Sequence, residues 1–176
     1  MYINKLENII KPTNELTDNY TKEEWDEIEL KLGIKLPTDY KEFINRYGVG
    51  SINDFLWVLN PFTPNSNLNL IEKGKEIREA YDISKNEFPE DFTHYMFPSN
   101  GGLLPCAITD NGDEIYWLTS NIVDEWNIIV YESRSSDYYE YNMGLVEFLY
   151  KILAKEIECL AFPDDFPGEK CEFIEK

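Results

Sequence analysis

Apolar side chains recur along this chain first at helical spacing, then at the spacing of strands, then at helical spacing again. Thr21 and Glu24 form a capping box, the hydroxyl taking a first-turn amide while the carboxylate reaches back to the cap, and Tyr20 and Trp25 flank it in the staple positions. The helix this predicts puts Trp25, Ile28 and Leu32 on one face and Glu23, Asp26, Glu27 and Lys31 on the other. Gly33 ends it, with Ile34 placed to fold back on Ile28. A second helix opens at Pro37, with Asp39 in a first turn where the helix dipole favours a carboxylate. Tyr40, Phe43, Ile44 and Tyr47 give it an apolar stripe at i, i+3, i+4 and i+7, and Gly48 stops it. Ahead of this pair, residues 1–19 are polar, with a short helical pattern through Leu6, Ile9 and Ile10.

The middle of the chain changes period. Ile52 to Leu59 is aromatic and branched and predicts a strand closed by Asn60-Pro61. After a polar loop to Asn67, Leu70, Gly74, Ile77 and Tyr81 mark a third helix, and Ser84 to Thr93 reads as loop. Leu103–Asp110 and Asp113–Leu118 predict a hairpin around Asn111-Gly112, the dipeptide suited to a two-residue type I′ turn. Trp126 to Tyr131 reads as a further strand, with Ile128 and Val130 on one face and Asn127 and Ile129 on the other. Ser133–Asn142 is polar and rich in tyrosine, and Asn142 is placed to cap a last helix carrying Leu145, Phe148, Leu149, Ile152 and Leu153. The expected fold class is therefore α+β: an N-terminal helix pair, a central antiparallel sheet covered mainly on one side, and a C-terminal helix covering it. Residues 1–176 are expected to form a single domain, with a core of about 21–154 and an acidic C-terminal extension over 155–176.

A chain of 176 residues with 43% apolar and 15% aromatic residues has the material for a core, which excludes a disordered tail protein. No apolar run reaches the span of a membrane helix, and Met1 to Ile10 lacks a signal peptide's apolar stretch. Three scattered cysteines, Cys106, Cys159 and Cys171, fit reduced thiols, so the expected location is cytoplasmic.

Charge changes the picture most. Against 34 Asp and Glu stand 16 Lys and Arg, a formal net charge of −18. That disfavours nucleic acid and anionic lipid, whose affinity comes from cations on phosphate. Between Lys85 and Lys151 the only cation is Arg134, set among twelve acids from Glu87 to Glu147. This stretch reads either as a well-solvated sheet surface or as an electrostatic docking surface for a basic protein; for the second, the candidate contacts are the acids around the hairpin and the following strand, Asp110, Asp113, Glu114, Asp124, Glu125 and Glu132, with Tyr138, Tyr139 and Tyr141 beside them.

Catalytic chemistry has little to stand on. His94 is the only histidine, and its neighbours Phe92, Tyr95, Met96 and Phe97 read as packing. There is no CxxC, HExxH or phosphate loop. A calcium loop aligned on Gly112 would place Ala107 at its first ligand position, where a carboxylate is required. No carboxylate pair stands out among the 34 acids. The expectation is therefore no catalytic residue, no metal and no cofactor, with a glycosidase-like hydrolase ranked last.

The run from Trp25 to Gly48, a helix ending in Gly33 followed by Leu36-Pro37-Thr38-Asp39-Tyr40 and a helix ending in Tyr47-Gly48, resembles the opening of the SUKH superfamily. Pro105 to Asp113 with Tyr116-Trp117-Leu118 is similar to that family's central hairpin, and Gly144 to Leu149 to its closing helix. The likeness spans about Thr21 to Ala154. It implies a SUKH-like fold without catalytic residues, in which Trp25, Gly33, Leu36, Pro37, Tyr40, Phe43, Tyr47, Gly48 and Trp117 build the scaffold. It further implies an immunity protein that binds and neutralises a cognate toxin, such as a nuclease, of a bacterial polymorphic or contact-delivered system. The alternative is a non-catalytic regulatory or protein-interaction module of the same fold, like the fungal cell-wall synthesis regulators. Nothing in the resemblance assigns the toxin-facing residues or gives the tail after Leu160 a counterpart.

Overall fold

The computed structural model describes residues 1–12 and 19–176. Six residues of the polar lead, 13–18, lie outside that set. Among the described residues are five α-helices, α1 (Tyr2–Glu7), α2 (Lys22–Leu32), α3 (Thr38–Tyr47), α4 (Leu70–Glu87) and α5 (Leu145–Leu153). Seven strands accompany them: β1 (Gly50–Ile52), β2 (Leu56–Val58), β3 (Leu103–Thr109), β4 (Glu114–Leu118), β5 (Asn127–Tyr131), β6 (Tyr138–Tyr141) and β7 (Phe173–Glu175). The strands form one sheet in the order β6-β5-β4-β3-β2-β1-β7, every pairing antiparallel. The α+β fold class read from the sequence is the one observed.

The helix pair forms as its caps dictate. The Thr21 hydroxyl accepts from the Glu24 N–H, the Glu24 carboxylate accepts from the Thr21 N–H at 2.7 Å, and Gly33 closes α2 at φ 74°. Trp25 and Ile28 are buried from α2, and Tyr40, Phe43, Ile44 and Tyr47 from α3. Glu29 is buried with them, at 4% exposure: its carboxylate accepts from the Leu36 N–H at 2.9 Å, takes Lys35 Nζ at 2.6 Å and pairs with Lys41. Helix α1 begins earlier than the pattern through Leu6, Ile9 and Ile10 placed it, although Leu6 and Ile10 are fully buried.

The sheet departs from expectation at its turns. Ile52–Leu59 is two strands, because Asn53 and Asp54 both take positive φ, a conformation their short polar side chains tolerate, and fold β1 back on β2. The β3–β4 connection is a three-residue loop. Gly112 sits at φ 90° and its N–H bonds the Thr109 carbonyl, while Asn111 keeps negative φ, so the expected I′ turn is replaced by a type I turn with a glycine bulge. Helix α4 runs on through Ser84 to Glu87, where a loop was expected. The polar stretch after Ser133 contains β6, an edge strand. The C-terminal segment adds β7 against β1, where Gly50 is required: a Cβ there would stand 2.4 Å from the Ile174 carbonyl oxygen and 2.6 Å from the Phe173 ring.

Helices cover both faces of the sheet. Trp117 packs against Tyr40 of α3 with ring centroids 4.9 Å apart, while its neighbour Tyr116 packs towards Tyr81 of α4 at 6.3 Å. Successive strand residues point to opposite sides, so α3 and α4 occupy opposite faces. Helix α5 shares the α3 side: Phe148 meets Tyr141, which is in register with Ile128 and, through it, with Trp117. Helix α1 closes over α5 through Tyr2 and Tyr150, and the Tyr47 hydroxyl donates to the Ile10 carbonyl at 2.8 Å. Buried residues from Ile3 to Phe173 join one core cluster.

Two acids make long-range caps. Asp39 lies in the first turn of its own helix, as expected, and also accepts from the Val146 N–H in the first turn of α5 at 3.0 Å. Gly144 holds the N-cap position of α5, and Asn142 does not cap it. The first turn of α3 is in turn served by Asp124, which accepts from the Thr38 N–H at 2.7 Å and the Thr38 hydroxyl at 3.2 Å.

Candidate interaction groove

The nine residues singled out from the sequence do not form one surface. Antiparallel meandering sends alternate turns to opposite ends of the sheet, so the β1–β2, β3–β4 and β5–β6 turns share one end and the β4–β5 connection lies at the other. Asp110, Asp113 and Glu132 are at the first end, and Asp124 and Glu125 are at the second. Glu114 and Tyr138 belong to the α4 face, and Tyr139 and Tyr141 to the α5 face.

Several of the nine are committed internally. Asp113 is 2% exposed: one carboxylate oxygen accepts the Thr109 hydroxyl at 2.7 Å and the other the Ser133 N–H at 2.9 Å, tying two turns together. As a docking contact it is replaced by this structural role. Glu114 is half-buried and accepts the Tyr116 hydroxyl, and burial pushes its carboxyl up despite that bond. The Tyr139 hydroxyl donates to Glu132 at 3.2 Å, and the Tyr141 hydroxyl donates to the Glu158 carbonyl at 3.1 Å. Asp110, Glu125 and Tyr138 remain exposed.

The structure does assemble one surface from parts of this set. A groove of about 460 Å³ runs between the C-terminal half of α4 and the turns around Gly112 and Glu132–Ser136. Ala80, Tyr81, Ser84, Phe88, Asp91 and Phe92 form one wall, and Glu114, Tyr131, Glu132 and Arg134 stand on the other. Its floor is an aromatic cluster centred on Tyr131, whose ring lies 5.5 Å from Tyr81 and 5.2 Å from Tyr138. The Tyr131 hydroxyl is hydrogen-bonded to His94 Nδ1 at 2.7 Å and to the Tyr81 hydroxyl at 3.2 Å, and the Tyr81 hydroxyl donates to the His94 carbonyl at 3.1 Å. Burial lowers His94 below the ordinary imidazole range and raises both hydroxyls. These hydrogen bonds tie Tyr131 to Tyr81 and His94 and hold the cluster as a fixed platform.

Around that platform stand exposed aromatics and acids. Phe88 is 54% exposed, Tyr95 65% and Tyr138 40%. Glu87, Glu90, Asp91, Glu132, Asp137 and Glu140 lie on the segments that carry them. Lys85 is already engaged, donating to the Phe92 carbonyl at 2.8 Å with its ammonium 4.2 Å from the centre of the Tyr95 ring. Sequence reading missed Phe88 and Tyr95 by treating Ser84–Thr93 as a plain loop and the following aromatics as packing. The signal present was Glu87-Phe88-Pro89-Glu90-Asp91, a large apolar residue bracketed by acids next to a proline. No group of three His, Cys, Asp or Glu placed to hold a metal occurs among the described residues, and none of their helices is long and apolar enough to cross a membrane.

Comparison with protein families matches residues 22–149 to the family described as SUKH_6, SMI1-KNR4 cell-wall. No curated protein and no solved structure matches. The matched span runs from the first residue of α2 into α5 and contains the whole groove.

Proposed function

The chain belongs to the SMI1-KNR4 cell-wall family, and on that premise we propose that it is an immunity-type protein that binds and neutralises a basic protein toxin through the acidic aromatic groove beside α4. The observation that carries this reading is the groove in which exposed Phe88 stands with Asp91 and Glu132 over a floor fixed by the Tyr131 hydrogen bonds, with exposed Tyr138 packed 5.2 Å from the Tyr131 ring. Acids on the rim steer a cationic partner and exclude wrong ones, which acts on association. Aromatics desolvated against a rigid floor supply holding energy, which acts on dissociation. Protection of a cell calls for nanomolar affinity, about −12 kcal/mol. Two or three aromatic hot spots at about 2 kcal/mol or more each are a large part of that. The protein performs no chemistry on its target and works in the cytoplasm, where the toxin arrives. If the toxin is a nuclease, the acidic rim occupies the groove meant for phosphate.

The test is co-purification of the full chain with the product of the gene adjacent to its own, followed by calorimetry. A nanomolar complex is expected, weakened about thirtyfold by Phe88→Ala or Tyr95→Ala, as a hot spot requires. Its association should slow as salt rises. Absence of a complex at micromolar concentration overturns the reading. The family description, which names cell-wall proteins, favours a second one, a regulatory module without a toxin. An adjacent gene that encodes no toxin, with the groove variants still losing a cellular partner, would select it.

A further inference from the structure

The outer edge of β6 is the feature that the groove leaves unused. Among the described residues β6 pairs with β5 alone, and no strand lies beyond it. The Glu132 N–H donates to the Asp137 carbonyl at 2.9 Å, so hydrogen-bonded pairs continue in steps of two at Val130/Tyr139 and Ile128/Tyr141. Tyr138 and Glu140 therefore turn their N–H and carbonyl groups away from β5, and no other element of the described residues bonds them. Natural edge strands are commonly guarded by lysine, proline or a bulge. Tyr138-Tyr139-Glu140-Tyr141 is short and carries one charge, Glu140, but it has neither lysine nor proline, and its register with β5 is unbroken. It is rich in aromatics, the residues best suited to a strand.

Charge selects the occupant. Asp137 and Glu140 sit on or beside the open edge, Glu132 and Asp91 line the adjoining groove, and Arg134 is the only cation between Lys85 and Lys151. A second copy of the chain would set Asp137 and Glu140 against their own equivalents, which is repulsive. We infer that the open edge of β6 accepts an extended, Lys- or Arg-bearing segment of the partner protein as an eighth strand, joined by backbone hydrogen bonds at Tyr138 and Glu140. Alternate side chains of such a segment fall on the groove side, where cations meet the acidic rim and apolar groups meet Tyr138. This binding mode rests on the reading that the protein acts by engaging a basic partner.

The experiment titrates the full chain with the peptide Ac-Lys-Val-Lys-Val-Lys-Val-Lys-NH2, with a control whose central valine is proline, and follows amide exchange by NMR. Exchange at Tyr138 and Glu140 is expected to slow by about tenfold with the first peptide, the worth of one net hydrogen bond, and not with the second. Glu140→Pro removes an outward N–H while sparing the ladder to β5, as edge strands permit, and is expected to weaken binding by about tenfold. Should Glu140→Pro fail to fold, Glu140→Lys reverses the local charge and is expected to weaken binding several-fold. Protection appearing elsewhere, no binding at millimolar peptide, or binding by the variants as tight as wild type overturns the inference. A natural partner that binds wild type and Glu140→Pro equally would remove the added strand and leave the binding function standing, whereas absence of any partner removes that function itself.

Discussion

Replacing Asp124 by alanine separates two roles for an acid that the sequence marks as a contact. Its carboxylate caps α3 from 86 positions away, at 2.7 Å from the Thr38 amide and 3.2 Å from the Thr38 hydroxyl. Pro37, the residue at the N-cap position itself, makes no side-chain cap. Loss of a capping acceptor costs about 1 kcal/mol. The carboxylate's attraction to the positive end of the helix adds about 0.3–0.5 kcal/mol, the lower part of its range because Asp124 is exposed. The sum, about 1.5 kcal/mol, corresponds in a domain of this length to a fall in Tm of about 3–6 °C. Asp124→Asn keeps an oxygen acceptor and should lose only about a third of that. Calorimetric melting with urea titration measures both. Because Asp124 lies at the end of the sheet away from the groove, the variant should also bind its partner within about twofold of wild type, as distant sites do. A Tm within about 1 °C of wild type, combined with weakened partner binding, would refute the capping argument and restore Asp124 as a contact.

Substitutions at two further carboxylates, Glu29 buried and Glu114 half-buried, probe groups of opposite character. Glu29→Ala leaves the Leu36 amide without an acceptor and strands Lys41, and should cost about 2–3 kcal/mol by chemical denaturation, while Glu29→Gln, which keeps an acceptor, should cost about half as much. Burial pushes the Glu29 carboxyl up, but the Leu36 N–H, Lys35 and Lys41 together hold it below the usual range, so its stabilisation is complete above the ordinary carboxylate pKa and is lost only as pH falls through the lowered value. A Gln variant as damaging as Ala, or a difference from wild type that does not shrink in acid, would be the wrong result. Burial raises Glu114, so its contribution is complete below the ordinary carboxylate pKa and is lost as pH rises through the raised value. Glu114→Gln should therefore gain stability relative to wild type as pH rises above the ordinary carboxylate range, and melting curves whose difference from wild type stays constant as pH rises from below that range would refute this.

Much of the fold was legible because its signals are local. The capping box at Thr21, the left-handed Gly33 and the stripe Tyr40, Phe43, Ile44, Tyr47 each depend on residues within one or two helical turns, and all three appear as read. The central hairpin was legible for the same reason, though its turn type was not. Asn111-Gly112 fits a two-residue loop, but the Asp113 carboxylate is drawn to Ser133 on the neighbouring turn, and a three-residue loop with only Gly112 at positive φ is what forms. Strand β6 was hidden because an edge strand with one wet face does not show the apolar run that marks β5.

The candidate site was legible in composition and illegible in place. Sequence alone determined that the chain carries a large negative charge with its acids crowded between Lys85 and Lys151, that it has one histidine, and that its helices and central hairpin alternate in an α+β order. Only the tertiary structure decided which acids remain available. It buried Asp113 between two turns, assigned Asp124 to α3 and Asp39 to α5, and set Glu114 under α4, while bringing Phe88 and Glu132 to one groove with Tyr131 and packing Tyr138 on the Tyr131 ring. The physical reason is that helix propensity and capping act over a few residues, whereas an unsatisfied helix terminus or buried amide takes whichever carboxylate the packed sheet brings within hydrogen-bond reach.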